Sequence, residues 1–278
     1  MAHGRGGRSR RVTTYRVAPR GVASQPASRD QVLLAGGAVV AVAVVVVALV
    51  LSGALQGLLG VPIPGATPVP SRPTALPAGT YRTQAFQPQL TFTVPDGWWL
   101  ASDSPDFVQL LPVDSDQVGI YLFRDPSAAS QDATCPLAPE PSVGLLSTDL
   151  STWIRGRPGF VASNPRLAEV GGLRGVELDV GIVDTWTASC PFANGAPTVP
   201  LFVDQPSGLR WVVAGSERLR LSLLDVPGGG TLVVDLDAFD GSVMDAFVSR
   251  AAPIVQTFRF ASPASASPAP SSAGPGPS

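Results

Sequence analysis

Few residues in this chain are of the types that carry chemistry, and where they fall decides which reactions are open to it. The 278 residues include one histidine, His3, and no lysine, so all 19 basic residues are arginine. Beyond the N-terminal tail there is no imidazole for general base catalysis or zinc ligation, and no amine for a Schiff base or a phosphate contact. The exclusive use of arginine fits a GC-rich coding sequence, which also favours Ala, Gly, Pro and Val. No serine sits in a nucleophile elbow, and no glycine-rich phosphate loop follows an expected strand. The region 79–261 carries 20 carboxylates, which leaves glycoside hydrolysis, needing only two acids at a suitable separation, as the least excluded enzyme class.

Three smaller constellations remain. Asp235, Asp237 and Asp240 precede Gly241 with some likeness to a calcium loop, but the closing glutamate of an EF-hand would fall on Ala246. Their expected place is an outer strand face and a helix N-terminus, where acids are favoured, and no metal or other cofactor is expected. Trp98, Trp99, Trp153, Trp186 and Trp211 belong mostly in a core, with an aromatic platform for a glycan as the alternative for any that is exposed. Neighbouring strand residues face opposite ways, so one of Trp98 and Trp99 should be core and the other at the surface. Cys135 and Cys190 are the only cysteines, each followed by proline in an expected loop. Outside the reducing cytoplasm they are expected to form one disulfide enclosing 54 residues. A redox pair is the alternative, although such couples usually have a C-x-x-C arrangement.

The compartment follows from the elements around these residues. No charge occurs from Gln31 to Ser71, and the mainly Val, Ala, Leu and Gly stretch within it exceeds the roughly 20 residues a helix needs to cross a bilayer. Before it lie seven arginines and one acid, net +6; region 79–261 has 11 arginines and 20 acids, net −9. Arg8, Arg10, Arg11, Arg16, Arg20 and Arg29 therefore set the topology, with the N-terminus cytoplasmic and the acidic domain outside. The expectation is an uncleaved signal anchor. A secretory signal cut at Ser52-Gly53-Ala54 is the alternative, against which the length of the apolar run counts.

The chain is thus read as a basic cytoplasmic tail (1–30), a transmembrane helix (31–60), a proline-rich linker (61–78), an extracytoplasmic domain (79–261) and a Ser/Pro/Ala tail (262–278) expected to be disordered. Within the domain, periodicity predicts strands over 81–86, 90–94, 107–111 and 119–123, then a helix from Ser147 or Asp149 to before Pro158. A hairpin turning at Gly171-Gly172 follows, with short strands over 201–203 and 211–213. In a second hairpin, Arg218 to Asp237, a turn near Gly228-Gly229 sets Leu221 opposite Leu236 and Arg220 opposite Asp237. Its leucines would then share one core face and its charges the other. A helix over 242–257, with Ser242 and Asp245 as a capping box and Val243, Phe247, Ala251, Ile254, Val255 and Phe258 as its apolar stripe, runs into a last short strand. Pro253 is expected to kink it or end it early. The fold class is α+β, a mostly antiparallel sheet with packed helices, preceded by one transmembrane helix.

The strand pair closing on Val94-Pro95-Asp96-Gly97-Trp98, the short helix, the Gly-Gly hairpin and the final helix entering Phe258-Arg259-Phe260 are similar to uncharacterised exported, membrane-anchored proteins of GC-rich actinobacteria and Chloroflexi. More remotely, they resemble the PsbP-like α/β/α sandwich. The resemblance implies a fold without associated catalytic residues. Anchor, tether and missing catalytic groups together lead to the expectation of a non-enzymatic binding or interaction domain at the cell envelope. A carboxylate-based hydrolase of wall polysaccharide is the alternative. The expected partners are the membrane and an envelope protein or glycan, with no nucleic acid.

Overall fold

A computed structural model describes residues 67–68 and 74–261. The expected cytoplasmic tail with its topology arginines, the span, most of the linker and the terminal tail lie outside the described residues. Among the described residues no helix is long and apolar enough to cross a membrane.

In chain order come β1 (Thr67–Pro68), β2 (Thr74–Leu76), β3 (Gly79–Arg82), β4 (Leu90–Val94), β5 (Trp98–Asp103), β6 (Phe107–Pro112), β7 (Val118–Arg124) and β8 (Ser127–Ala128). Helix α1 (Ser147–Arg155) is followed by β9 (Phe160–Ala162), β10 (Arg166–Val170), β11 (Leu173–Ile182), β12 (Thr198–Asp204) and β13 (Leu209–Ala214). After β14 (Arg218–Asp225) and β15 (Thr231–Ala238), a 3-10 turn (Gly241–Val243) leads into α2 (Met244–Val255) and β16 (Arg259–Phe260). The fold class is α+β as expected, with a mostly antiparallel sheet and two packed helices.

The central sheet is antiparallel, in the order β10-β11-β14-β15-β7-β6-β5-β2, with β9 beside β10 along the same edge of β11. One face carries α2 and a small sheet, β1-β3-β4-β16; Phe92, Trp98, Ile120, Val234, Phe247, Ile254 and Phe258 fill the space between. The other carries α1 and the sheet β13-β12-β8, over Tyr121, Phe123, Leu178, Leu221 and Val233. Each cover exists because its own apolar stripe matches the sheet below. In α1 these residues are Leu150, Trp153 and Ile154; in α2 they are Met244, Phe247, Ala251 and Ile254.

Sheltering both faces has a consequence for the second hairpin. All eight residues of β15 are buried, and the alternating residues Leu219, Leu221, Leu223, Leu232, Val234 and Leu236 are buried as expected but divide between two cores. Leu221 is opposite Asp235, Leu219 opposite Asp237, and Arg220 opposite Leu236. Asp225 pairs with Thr231, so the connection is an odd number of residues centred on Gly228. A centre half a residue earlier than the expected one shifts the pairing by one position and turns the side chains of one strand over relative to those of the other. Leu219, Leu221 and Leu223 thus face α1 and β13, while Leu232, Val234 and Leu236 face α2. The arginines do not meet Asp235 or Asp237; Arg220 Nε donates instead to Asp179 Oδ1 of β11 at 2.6 Å.

The helix ends differ from their sequence reading as well. No side chain of its own caps α1; the distant Asp225 carboxylate accepts from both Ser147 N and Ser147 Oγ at 2.9 Å. The second helix also lacks a side-chain cap; Asp240 caps the 3-10 turn before it, accepting from Ser242 N at 2.9 Å, and Ser242 caps neither. Val243, assigned to the apolar stripe, is 40% exposed because the 3-10 turn rotates it away from the core. Pro253 lies in the final turn of α2, which closes two residues later.

The cysteines form the expected disulfide, with Cα atoms 5.6 Å apart. It ties the β8–α1 loop to the β11–β12 loop, and Cys190 N donates to Thr198 Oγ1 at the start of β12. The bond therefore secures the covering sheet through its two longest connections. Reduction, or Cys135→Ala, is expected to remove about 4 kcal/mol on the loop-entropy account and to lower the melting temperature by about 10 °C. Melting curves with and without reductant check this, and coincident curves would contradict it.

Candidate functional site

The β10–β11 hairpin and α2 meet the central sheet without closing on each other, and a groove of about 580 Å³ runs between them. Its position depends on the Gly171-Gly172 turn, where φ values of +63° and +88° require glycine. A Cβ at Gly171 would lie 2.5 Å from the Phe260 ring, so the turn also lets β16, with its Arg259, close one end. The helix side is formed by Val248, Ala252 and Val255, which lie beside the buried stripe of α2, and Leu236 of β15 belongs to the floor.

The opposite wall is charged and held in place by its own bonds. Arg166 donates to Glu177 Oε1 at 2.6 Å and to Asp179 Oδ2 at 3.3 Å. Ser222 Oγ donates to Glu177 Oε2 at 3.0 Å, and Arg220 holds Asp179 from the next strand. Burial raises the Asp179 pKa, but the hydrogen bonds and charges of Arg220 and Arg166 outweigh it and hold the carboxyl below its ordinary value. The register makes this possible, since Glu177 is opposite both Arg166 and Ser222, and Asp179 is opposite Arg220. The groove thus combines an apolar floor, a fixed charged wall and Arg259 at its end, an arrangement suited to holding a ligand.

At the other end of the sheet, a shallower recess of about 440 Å³ surrounds Trp99. Here the alternation of Trp98 and Trp99 works as read from the sequence. Trp98 is 1% exposed and packs toward Phe247, whereas Trp99 is half-buried at the rim. Trp153 and Trp211 are core residues, and Trp186 is half-buried with Nε1 donating to Thr198 O at 2.9 Å.

The aspartates read as an outer face are inside the molecule. Asp235 and Asp237 have no solvent exposure and lie between the central sheet and β13, with Glu217, from the β13–β14 turn, beside them. Burial, then the charge of Asp237 and a hydrogen bond to it, and finally the charge of Asp235 push the Glu217 carboxyl well above its ordinary range. Its Oε2 accepts from Ala214 N at 2.7 Å, and its carboxyl is hydrogen-bonded to Asp237. Nothing in the spacing of Glu217, flanked by Ser216 and Arg218, marks it as a core residue. Only Asp240 lies where acids were expected, at the start of a helical turn.

A second carboxyl pair joins the β5–β6 turn to the end of β12. Asp106 and Asp204 are hydrogen-bonded to each other. Burial raises both; at Asp106 the bonds from Asp204 and Ser104 win and lower it, while Asp204 remains raised. This division of one proton between two acids is chemically capable of acid–base work. Carboxyls in mutual contact are nevertheless too close for glycoside hydrolysis, whose acids stand about 5 Å or more apart. Among the described residues no group of three or more potential ligands is placed to hold a metal ion.

No protein-family model and no curated protein sequence matches the chain. Among solved structures, the chain is similar to the solution structure of the cyanobacterial PsbP protein, CyanoP, from Synechocystis sp. PCC 6803. The identity is 12% and the TM-score 0.33, over 67% of this chain and 95% of that one. The likeness is remote, concerns fold alone, and assigns no role to any residue here.

Glu217 yields a signed pH dependence. Below its ordinary value of 4.5 the folded and unfolded chains both carry the proton. As pH rises, the unfolded chain releases it while the folded chain keeps it, which costs the folded state about 1.4 kcal/mol per pH unit until the folded pKa is reached. Glu217→Gln keeps both hydrogen bonds without an ionisable group. Its melting temperature should match the wild type below pH 4.5 and exceed it increasingly as pH rises above that value; a variant less stable at every pH would contradict the assignment.

Proposed function

We propose that the chain is a membrane-tethered protein whose extracytoplasmic domain binds a ligand or partner at the cell envelope and catalyses no reaction. In this reading the N-terminus is cytoplasmic, the span is an uncleaved anchor, and the linker holds the domain away from the bilayer. The wider kinship is with exported, membrane-anchored proteins of GC-rich bacteria. The observation that carries the reading is the groove beside α2, where an apolar floor meets a charged wall already fixed by the Arg166, Glu177, Asp179, Arg220 and Ser222 network. Side chains held in advance lose little freedom on binding, so more of the contact energy becomes affinity. Glu177 and Arg220, which line the groove, are already bonded to Arg166, Ser222 and Asp179 behind them, which suits them to positioning a bound molecule rather than to transferring protons. Charge asymmetry about the apolar run supports the topology.

Ala252 lies half-buried on the helix wall, so Ala252→Trp should fill the groove from the solvent side without disturbing the core. Full-length tagged protein is expected to retain an envelope component that the Ala252→Trp variant releases. Identical retention by the two, or none by either, would overturn the groove as the binding site. For topology, protease added to intact spheroplasts should digest the domain while a tag on Met1 survives; a released soluble domain would sink the uncleaved anchor.

A further inference from the structure

Trp99 is placed as a ligand platform. It belongs to β5 between Leu111 of β6 and Ala75 of the short edge strand β2. The edge strand leaves part of the indole uncovered, and the β6–β7 turn rises beside it with Asp114, Ser115 and Asp116. The two aspartates are braced from outside the recess. Arg250 Nη1 of α2 donates to Asp114 Oδ1 and Oδ2 at 3.0 and 3.1 Å, and Gln117 Nε2 donates to Asp116 Oδ1 at 2.7 Å. Arg250 in turn lies over the buried Trp98 ring, 5.5 Å from its centroid. The turn is therefore tied to α2 and the core, and its acceptors are fixed around an aromatic surface.

We infer that this recess binds a neutral pyranose unit of an envelope saccharide, a second site separate from the groove beside α2. A pyranose ring offers an apolar C–H face for the indole and a rim of hydroxyl donors for carboxylate and serine oxygens. An open, shallow site suits one or two residues of an extended chain better than a small buried ligand. A cationic ligand is the competing chemistry for an indole with carboxylates. Arg250 already neutralises Asp114, however, and a single indole forms no cage, so a polyol fits the site better than an ammonium group. An anionic sugar would be repelled by Asp116.

The test uses the full chain in phospholipid nanodiscs, free of sugar detergents, titrated calorimetrically with cellopentaose and with chitopentaose. Saturable binding of at least one is expected, weakened about tenfold by Trp99→Ala and about threefold by Asp116→Asn. Trp99→Phe retains an aromatic face and should bind more tightly than Trp99→Ala, which separates stacking from misfolding. Ala252→Trp should leave sugar binding unchanged, so failure of the groove and failure of this site read out separately. No saturable binding of either sugar, undiminished binding by Trp99→Ala, loss on Ala252→Trp, or preference for tetramethylammonium would each overturn the assignment.

Discussion

The middle of the central sheet is dry on both faces, and the rest of the domain is arranged around that condition. An antiparallel sheet commonly leaves one face to water. Here two helices and two small sheets are recruited as covers, and strand β15 passes through the middle with all eight residues buried. Covers joined by long loops need fastening, which the Cys135–Cys190 bond supplies on one face. On the other, the segment after α2 is fastened by β16 pairing with β4 and meeting the Gly171 turn. Charge that enters such a core must be neutralised or shared. Glu217 accordingly has its carboxyl pushed well above the ordinary range beside Asp235 and Asp237, a costly feature that the surrounding apolar packing has to outweigh.

That same condition sets what could be read from the sequence. Elements whose signals are local came through, among them α1 over Ser147–Arg155, the Gly171-Gly172 hairpin, β4 over Leu90–Val94 and the inward Trp98 beside an outward Trp99. The cysteine pairing was legible because two cysteines leave only one intramolecular choice. The second hairpin was misassigned because alternation of leucine with arginine or aspartate has the same period whichever face is wet. When both faces are dry, polar residues no longer mark the outside. Asp235 and Asp237 read as surface for that reason, and one residue in the Val226–Gly230 turn decided the register. Caps supplied from a distance, such as Asp225 on α1, leave no sequence signal near the helix they serve.

The groove and the Trp99 recess were the least legible part, since each is assembled from segments far apart in the chain. The groove takes its wall from β10, β11 and β14 and its other side from α2; the Trp99 recess joins β5 to the β6–β7 turn. Both lie where the covers stop short of the sheet edges. A well-filled interior thus pushes any binding to the rim, and this links the fold to the proposed envelope role. The rim sites are held by ion pairs that add little stability while exposed; in the groove wall they fix geometry instead.

Native-state hydrogen exchange tests the two-sided core most directly, because it ranks each backbone amide by the free energy of the opening that releases it. If β15 is enclosed between two covers, its amides should exchange only through global unfolding, with one common free energy equal to that from denaturant melts. The β10–β11 turn and the last turn of α2, at the rim, should open at lower cost. Exchange of β15 amides well below the global free energy, or protection of the rim equal to that of β15, would contradict the architecture on which the account rests.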